Sequence, residues 1–226
     1  MNCWFVTGTD TEIGKTFAAC DLVRHLVAGG ERVAGLKPIA SGCEETPDGL
    51  RNEDALALMA AANVTLPYGV VNPYAFAPPI APHLAAGAEG VMIDPATAAR
   101  SLEGLAADWV VVEGAGGWCI PLGEGRLLCD LAGAFTRQVV LVVGLRLGCI
   151  NHALLSAEQI LRDGFELVGW VANRVDPDML VPRGNLVTLD ELLPAPRIGT
   201  LPFVAGVPDR VVGDWRLPRS TASEKR

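Results

Sequence analysis

Continuous apolar runs alternate along this chain with stretches in which apolar residues recur every three to four positions. The runs at residues 4–6, 32–36, 109–113, 139–143, 167–172 and 197–201 predict strands. Val139, Val140, Leu141, Val142 and Val143 form an unbroken apolar run, as expected where both faces of a parallel sheet are buried. Ala19, Leu22, Val23, Leu26 and Val27 follow the i, i+3, i+4, i+7, i+8 spacing of a helical face and predict a helix over 16–28, closed by Gly29 and Gly30. Further helices are predicted over 53–62, 95–107, 150–163 and 188–193. The third starts with Asp94 placed to cap it and Pro95 in its first turn. Alternating strands and helices predict an α/β protein: one domain over residues 1–226, with a mostly parallel central sheet and helices on both faces. The stretch 67–82 carries five prolines and reads as an extended, ordered surface connection. Residues from about 210 to 226 read as a flexible tail.

Residues 5–16 read Phe-Val-Thr-Gly-Thr-Asp-Thr-Glu-Ile-Gly-Lys-Thr, a strand passing into a loop that ends in Gly14, Lys15 and Thr16. Phosphate binding needs several backbone N–H groups converging at a helix N-terminus, which only a tight loop without bulky side chains provides. Lys15 would reach the outer phosphates, and the Thr16 hydroxyl would complete the coordination of a nucleotide-borne magnesium ion. Five residues separate Gly8 from Gly14, one more than in the common G-x-x-x-x-G-K-[ST] pattern, with Thr9 where the first glycine is expected. A strand before the loop and a helix after it supply the context the motif requires, and place it in the P-loop NTPase fold.

Composition narrows the partners. At 226 residues the chain can bury roughly 70% of its unfolded surface in one core. No apolar run approaches the ~20 residues that span a bilayer, so no membrane partner is expected. The N-terminus has no basic segment followed by a long apolar one, which predicts a cytoplasmic protein. A formal charge of −8 repels polyanions, and the one basic cluster is Arg216, Arg219, Lys225 and Arg226 in the tail, so nucleic acid is not expected either. The six cysteines are widely spaced without a C-x-x-C pair and the three histidines are scattered, arguing against zinc or a redox dithiol.

Ligands of such sheets gather at the carboxyl ends of the strands, here the loops 8–16, 37–54, 113–118, 144–152 and 173–174. Lys37 ends the second strand and could neutralise charge on a transferred phosphoryl group, a reading preferred over a solvated lysine because of the neighbouring P-loop. Glu113 ends an apolar strand, where P-loop proteins place the carboxylate that holds the second side of magnesium. Asp54 serves equally as a first-turn helix charge or as a ligand. Gly114, Ala115, Gly116 and Gly117 either let backbone approach a ligand or simply make a turn. Gly148, Cys149, Ile150 and Asn151 form another anion-receptive helix start, with Asn151 equally a cap. The Asn173 amide could read a purine edge by paired hydrogen bonds, or occupy a turn.

Together these segments resemble the dethiobiotin synthetase family. The resemblance rests on residues 5–16, Lys-Pro-Ile-Ala-Ser-Gly from Lys37, Gly-Leu-Arg-Asn-Glu-Asp-Ala-Leu from Gly49, Val-Asn-Pro-Tyr from Val71, Val-Glu-Gly-Ala-Gly-Gly-Trp from Val112, Leu-Gly-Cys-Ile-Asn-His-Ala from Leu147 and Gly-Trp-Val-Ala-Asn from Gly169. The five-residue loop spacing is the family's own. The resemblance implies an ATP- and magnesium-dependent ligase that closes the ureido ring of dethiobiotin from 7,8-diaminononanoate and carbon dioxide, through a carbamate and a carbamic-phosphoric mixed anhydride. It implies that Glu12, Ile13, Gly14, Lys15, Thr16 and Phe17 bind the triphosphate, and that Thr16, Asp54 and Glu113 hold magnesium. Thr11, Lys15 and Lys37 form the implied catalytic set, and Ser41 and Lys37 touch substrate. Glu113, Gly114, Ala115 and Gly116 also meet nucleotide, with Asn173, Arg174, Pro202, Phe203 and Val204 around the adenine. It further implies a homodimer in which Gly148, Cys149, Ile150 and Asn151 of one subunit receive the substrate carboxylate of the other.

Three other readings share parts of this pattern. A switch ATPase of the partitioning or septum-positioning kind has the same sheet, but usually carries an additional lysine where this chain has Gly8, Thr9 and Asp10. A corrin-amidating synthetase needs a glutamine-hydrolysing domain for which 226 residues leave no room. A non-catalytic nucleotide-binding relic is disfavoured because every charged position needed for transfer is filled.

Overall fold

The computed structural model describes residues 1–218. Its centre is a seven-stranded sheet of β1 (Asn2–Gly8), β2 (Val33–Leu36), β3 (Trp109–Glu113), β4 (Gln138–Gly144), β5 (Glu166–Asn173), β6 (Arg197–Leu201) and β7 (Asp214–Trp215), in spatial order β7-β6-β5-β4-β1-β3-β2. All pairings are parallel except β6 with β7. The first strand therefore lies inside the sheet, with Phe5 beside Val139 on one flank and beside Val112 on the other.

Alternate residues of each strand feed opposite faces. Trp4, Val6, Val111, Val140 and Val142 join one core with α1 (Lys15–Ala28), whose Ala19, Leu22, Val23 and Leu26 are buried as the helical spacing requires. Phe5, Val110, Val112, Val139, Leu141 and Val143 join the other, covered by Leu128, Leu131, Ala132 and Phe135 of the helix Leu128–Phe135 and by Ala153, Ala157 and Ile160 of the helix Cys149–Arg162. The expected doubly covered parallel sheet is thus present, and all six expected strands are in it.

Several local expectations are corrected. The helix expected over 95–107 ends at Ala99, passes through a 3-10 turn Arg100–Leu102 and reaches Gly104 with φ +69, where only glycine sits without strain. Asp94 does cap it, accepting from Thr97 N at 3.0 Å. The helix expected over 188–193 starts earlier, as Pro182–Leu192, with proline in its first turn. The Pro-rich stretch is not merely extended: it folds into a short helix Tyr68–Val71, a strand Tyr74–Phe76 pairing with Ile39–Ser41, and the start of a helix Pro82–Ala88. Val71 and Phe76 anchor the segment in the core, while Pro67, Gly69, Pro73, Ala77, Pro79, Ile80 and Ala81 stay exposed, so it does run along the surface as expected. The tail expected from about residue 210 is ordered at Asp214–Trp215, because β7 adds to the edge of β6 and Trp215 packs over Gly199. Residues 219–226, with Arg219, Lys225 and Arg226, lie outside the described residues.

Candidate active site

The loop between β1 and α1 is built around Ile13, which is fully buried beneath it. A Cβ on Gly8 would lie 2.8 Å from Ile13 Cδ1, and one on Gly144 would lie 2.8 Å from Ile13 Cβ, so both glycines make room for this plug. Asn173, at the end of β5, donates from Nδ2 to the Ile13 carbonyl at 2.8 Å. Gly14 has φ +77, and a Cβ there would fall 2.1 Å from Asn173 Nδ2. The loop is therefore set by close backbone approach on both sides, which leaves its outer N–H groups to face a ligand.

Lys15, 7% exposed, donates to the Asp10 carbonyl at 2.8 Å. Burial, and after it the Lys37 ammonium, lower its pKa to about 8, against the pull of Glu113, Asp54 and Asp10. The Asp10 carboxylate forms an ion pair with Arg146, tying the phosphate loop to the segment that precedes the helix Cys149–Arg162.

Side chains from four elements meet above the sheet. Thr16 Oγ1 donates to Glu113 Oε1 at 2.8 Å, and Lys37 Nζ donates to the same oxygen at 2.6 Å and to the Gly114 carbonyl at 3.1 Å. Lys37 Nζ also stands 3.3 Å from Asp54 Oδ2, in the first turn of α2 (Glu53–Ala61). Burial works against the charge of Lys37, but the Glu113 and Asp54 carboxylates outweigh it and hold its pKa above the ordinary lysine value. Burial raises the Glu113 pKa against the pull of Lys37. Glu113 Oε2 is buried with no hydrogen-bond partner among the described residues, and so is the Ser41 hydroxyl. Such orphaned acceptors cost stability unless a ligand satisfies them. Two carboxylates and a hydroxyl, one carboxylate oxygen unsatisfied, are a donor set that fits magnesium completed by waters and phosphate oxygens.

A cleft of about 950 Å³ opens over this cluster. Thr11, Glu12, Gly14, Lys15, Thr16, Phe17, Lys37, Ser41, Asp54, Glu113, Ala115, Gly116, Asn173, Arg174, Phe203 and Val204 all line it. Three expected contacts do not. Ile13 is the plug beneath the loop, Gly114 packs against the Phe5 ring and offers its carbonyl to Lys37, and Pro202 is exposed just before the lining residues Phe203 and Val204. Asn173 spends one of its two Nδ2 hydrogens on the Ile13 carbonyl, while its buried Oδ1 has no hydrogen-bond partner among the described residues. Gly148, Cys149, Ile150 and Asn151 lie outside the cleft of their own chain, at a helix start preceded by Leu147, which is 97% exposed.

Residues with no earlier role complete the site. Asn52 caps α2 through Oδ1 to Ala55 N and lines the cleft, a signal readable from Asn-Glu-Asp before a helix. Asn72, 3% exposed, donates to the Lys37 carbonyl at 2.6 Å and accepts from the Tyr68 hydroxyl, which in turn accepts from Asn52 N. This chain of bonds fixes Lys37 relative to the helix that carries Asp54. Pro79, Ile80 and Pro82 form an apolar wall that no local pattern announces.

A strand-loop-helix phosphate grip, with a buried lysine–carboxylate cluster at the carboxyl ends of adjacent parallel strands, defines a P-loop nucleotide-binding protein. A family model described as an AAA domain matches residues 3–209. The ATP-dependent dethiobiotin synthetase BioD of Pseudomonas aeruginosa (strain LESB58) is 56% identical over 205 residues, 89% of this chain and 90% of that protein. The chain belongs to the ATP-dependent dethiobiotin synthetase family. BioD 1 of Escherichia coli (strain K12) is 48% identical over 208 residues, 91% of this chain and 92% of that protein. Among solved structures, MinD in the MinC:MinD cell division complex of Aquifex aeolicus superposes with TM-score 0.56 at 17% identity, covering 89% of this chain and 81% of that one. The signal recognition particle 54 kDa protein of Aeropyrum pernix gives TM-score 0.57 at 18% identity, over 98% of this chain and 45% of that one. These two likenesses concern the fold alone, so the septum-positioning alternative has only a shared sheet behind it.

Proposed function

We propose that this protein is a dethiobiotin synthetase, an ATP-dependent ligase of biotin biosynthesis that closes the ureido ring from 7,8-diaminononanoate and carbon dioxide. The observation that carries the reading is the convergence of Lys15, Thr16, Lys37, Asp54 and Glu113 on one cleft in a chain with these relatives. An amine nitrogen adds to carbon dioxide and loses a proton, giving a carbamate. A carbamate oxygen then bonds to the γ-phosphorus of ATP as the bond to the β-phosphate oxygen breaks and ADP leaves. The second amine attacks the carbonyl, loses its proton and expels phosphate, closing the ring.

No side-chain nucleophile is needed, because the chemistry depends on positioning and on charge stabilisation. Loop N–H groups and Lys15 hold the outer phosphates. Lys37 stabilises charge on the phosphoryl oxygens, with Thr11 and Ser41 disposed around the reacting end of the cleft. Thr16, Asp54 and Glu113 would hold magnesium, which when bound neutralises phosphate charge. Glu113 and Asp54 also pair with Lys37, so metal binding and release of its ammonium toward the phosphates are linked. Asn173 Oδ1 suits the amino group of adenine, with Arg174, Phe203 and Val204 around the base. The loop Gly148 to Asn151, which lies outside its own cleft, suits a homodimer in which each subunit completes its neighbour's substrate site, in the cytoplasm.

The test is phosphate release from magnesium ATP, with diaminononanoate and bicarbonate added singly and together, alongside mass detection of dethiobiotin. Release and product requiring both additions are expected. Hydrolysis indifferent to the diamine, with no dethiobiotin formed, overturns the reading.

A further inference from the structure

We infer that Asp21 is a positioning residue for the nucleotide, clasping the far end of the segment that walls the base side of the cleft. The inference rests on the ATP-binding reading above. After β6 the chain passes along the cleft, where Phe203, Val204, Gly206 and Val207 line it, and then turns back to add β7. Asp21, on α1, is 1% exposed. Its carboxylate accepts from Val212 N at 2.8 Å, Gly213 N at 2.9 Å and Trp215 Nε1 at 2.7 Å. A buried carboxylate is tolerated when charge-assisted hydrogen bonds satisfy it, and here all three donors come from this one segment.

The surroundings are shaped for the clasp. A Cβ on Gly213 would lie 2.6 Å from Asp21 Oδ2, and one on Gly199 would lie 2.8 Å from Trp215 Cζ3, so a side chain at either position would have to displace the clasp. Asp21, Gly213 and Trp215 do not themselves line the cleft, and Gly213 and Trp215 lie beyond the 3–209 match of the family model. Asp21 therefore acts through the segment it holds. It stands six residues after Lys15 on the same helix, about 9 Å along the axis. One rigid helix thus grips phosphate at its N-terminus and, through Asp21, the end of the base-side wall. Pinned at Leu201 by the sheet and at 212–215 by the clasp, the intervening loop carries Phe203 and Val207, 49% and 39% exposed, ready to cover a base. Preorganising that wall lowers the ordering cost of binding.

The experiment compares Asp21→Asn, which turns an amide N–H₂ toward donors, and Trp215→Phe, which removes one donor, with the parent protein. Affinities for magnesium ATP and for inorganic tripolyphosphate are measured by calorimetry, with KM for ATP and for the diamine from turnover. Asp21→Asn is expected to weaken ATP about tenfold or more, the equivalent of one charge-assisted hydrogen bond. Trp215→Phe should weaken it less, and neither should change tripolyphosphate affinity or the KM of the diamine. Equal loss of ATP and tripolyphosphate, or unchanged ATP affinity in a folded Asp21→Asn, overturns the inference. Should Asp21→Asn not fold, Trp215→Phe decides by the same comparison. Failure of the parent protein to bind ATP at all would instead sink the nucleotide reading.

Discussion

Lys15 must carry a positive charge where its surroundings resist one. Its pKa of about 8, against 10.5 for an ordinary lysine, means the free protein gives up this proton at mildly alkaline pH, while the unfolded chain keeps it. Below pH 8 both states are charged and the fold bears a net cost of about 3 kcal/mol for this charge, chiefly from burial and then from Lys37. As pH rises from 8 to 10.5 the unfolded state binds more protons than the folded one, so this group's contribution to stability increases with pH. Phosphate oxygens beside Nζ favour the charged form. Nucleotide binding above pH 8 should therefore take up a proton, seen as buffer-dependent enthalpy in calorimetric titrations, and affinity should fall with pH. Lys15→Met should abolish that proton uptake and most nucleotide affinity while raising the unfolding temperature at pH 7. A variant no more stable than its parent would show that burial is not what lowers this pKa.

At the scale of elements, the P-loop is a backbone device more than a side-chain one. Gly14→Ala places a methyl group at φ +77 against Asn173 Nδ2, so the loop must open or Asn173 must release Ile13. A loss of about 1–3 kcal/mol in urea unfolding and of measurable ATP binding is expected, whereas a fully active Gly14→Ala would refute the packing argument. This part of the site was legible in the sequence because glycine, lysine and threonine at a strand–helix junction have few other uses. The sheet was legible for a related reason: runs such as Val139 to Val143 suit only a doubly buried strand. The Pro-rich segment was not, since its structure comes from distant partners: Asn72 reaching the Lys37 carbonyl, and Tyr74–Phe76 pairing with Ile39–Ser41. Asp21 was invisible too, because a single aspartate within a helix gives no sign that residues 212–215 will return to it.

At the scale of the whole molecule, the helix start at Gly148 and Cys149 stands outside the cleft. Leu147 at 97% exposure, with Leu155 at 63% on the helix that follows, presents apolar surface beside Gly148 to Asn151, which do not line the cleft of their own chain. On the proposed homodimer, Leu147→Asp should yield a folded monomer by analytical ultracentrifugation, with ATP binding retained and diamine-dependent turnover lost. A dimer of unchanged affinity and activity would remove this loop from the proposed interface. The interior position of β1 has a different consequence, for how the protein is made. Phe5 finds Val139 only after most of the chain has left the ribosome, roughly 7–27 s later at 5–20 residues per second. Until then one edge of β1 stays unpaired, so the nascent chain is exposed to aggregation for much of its synthesis.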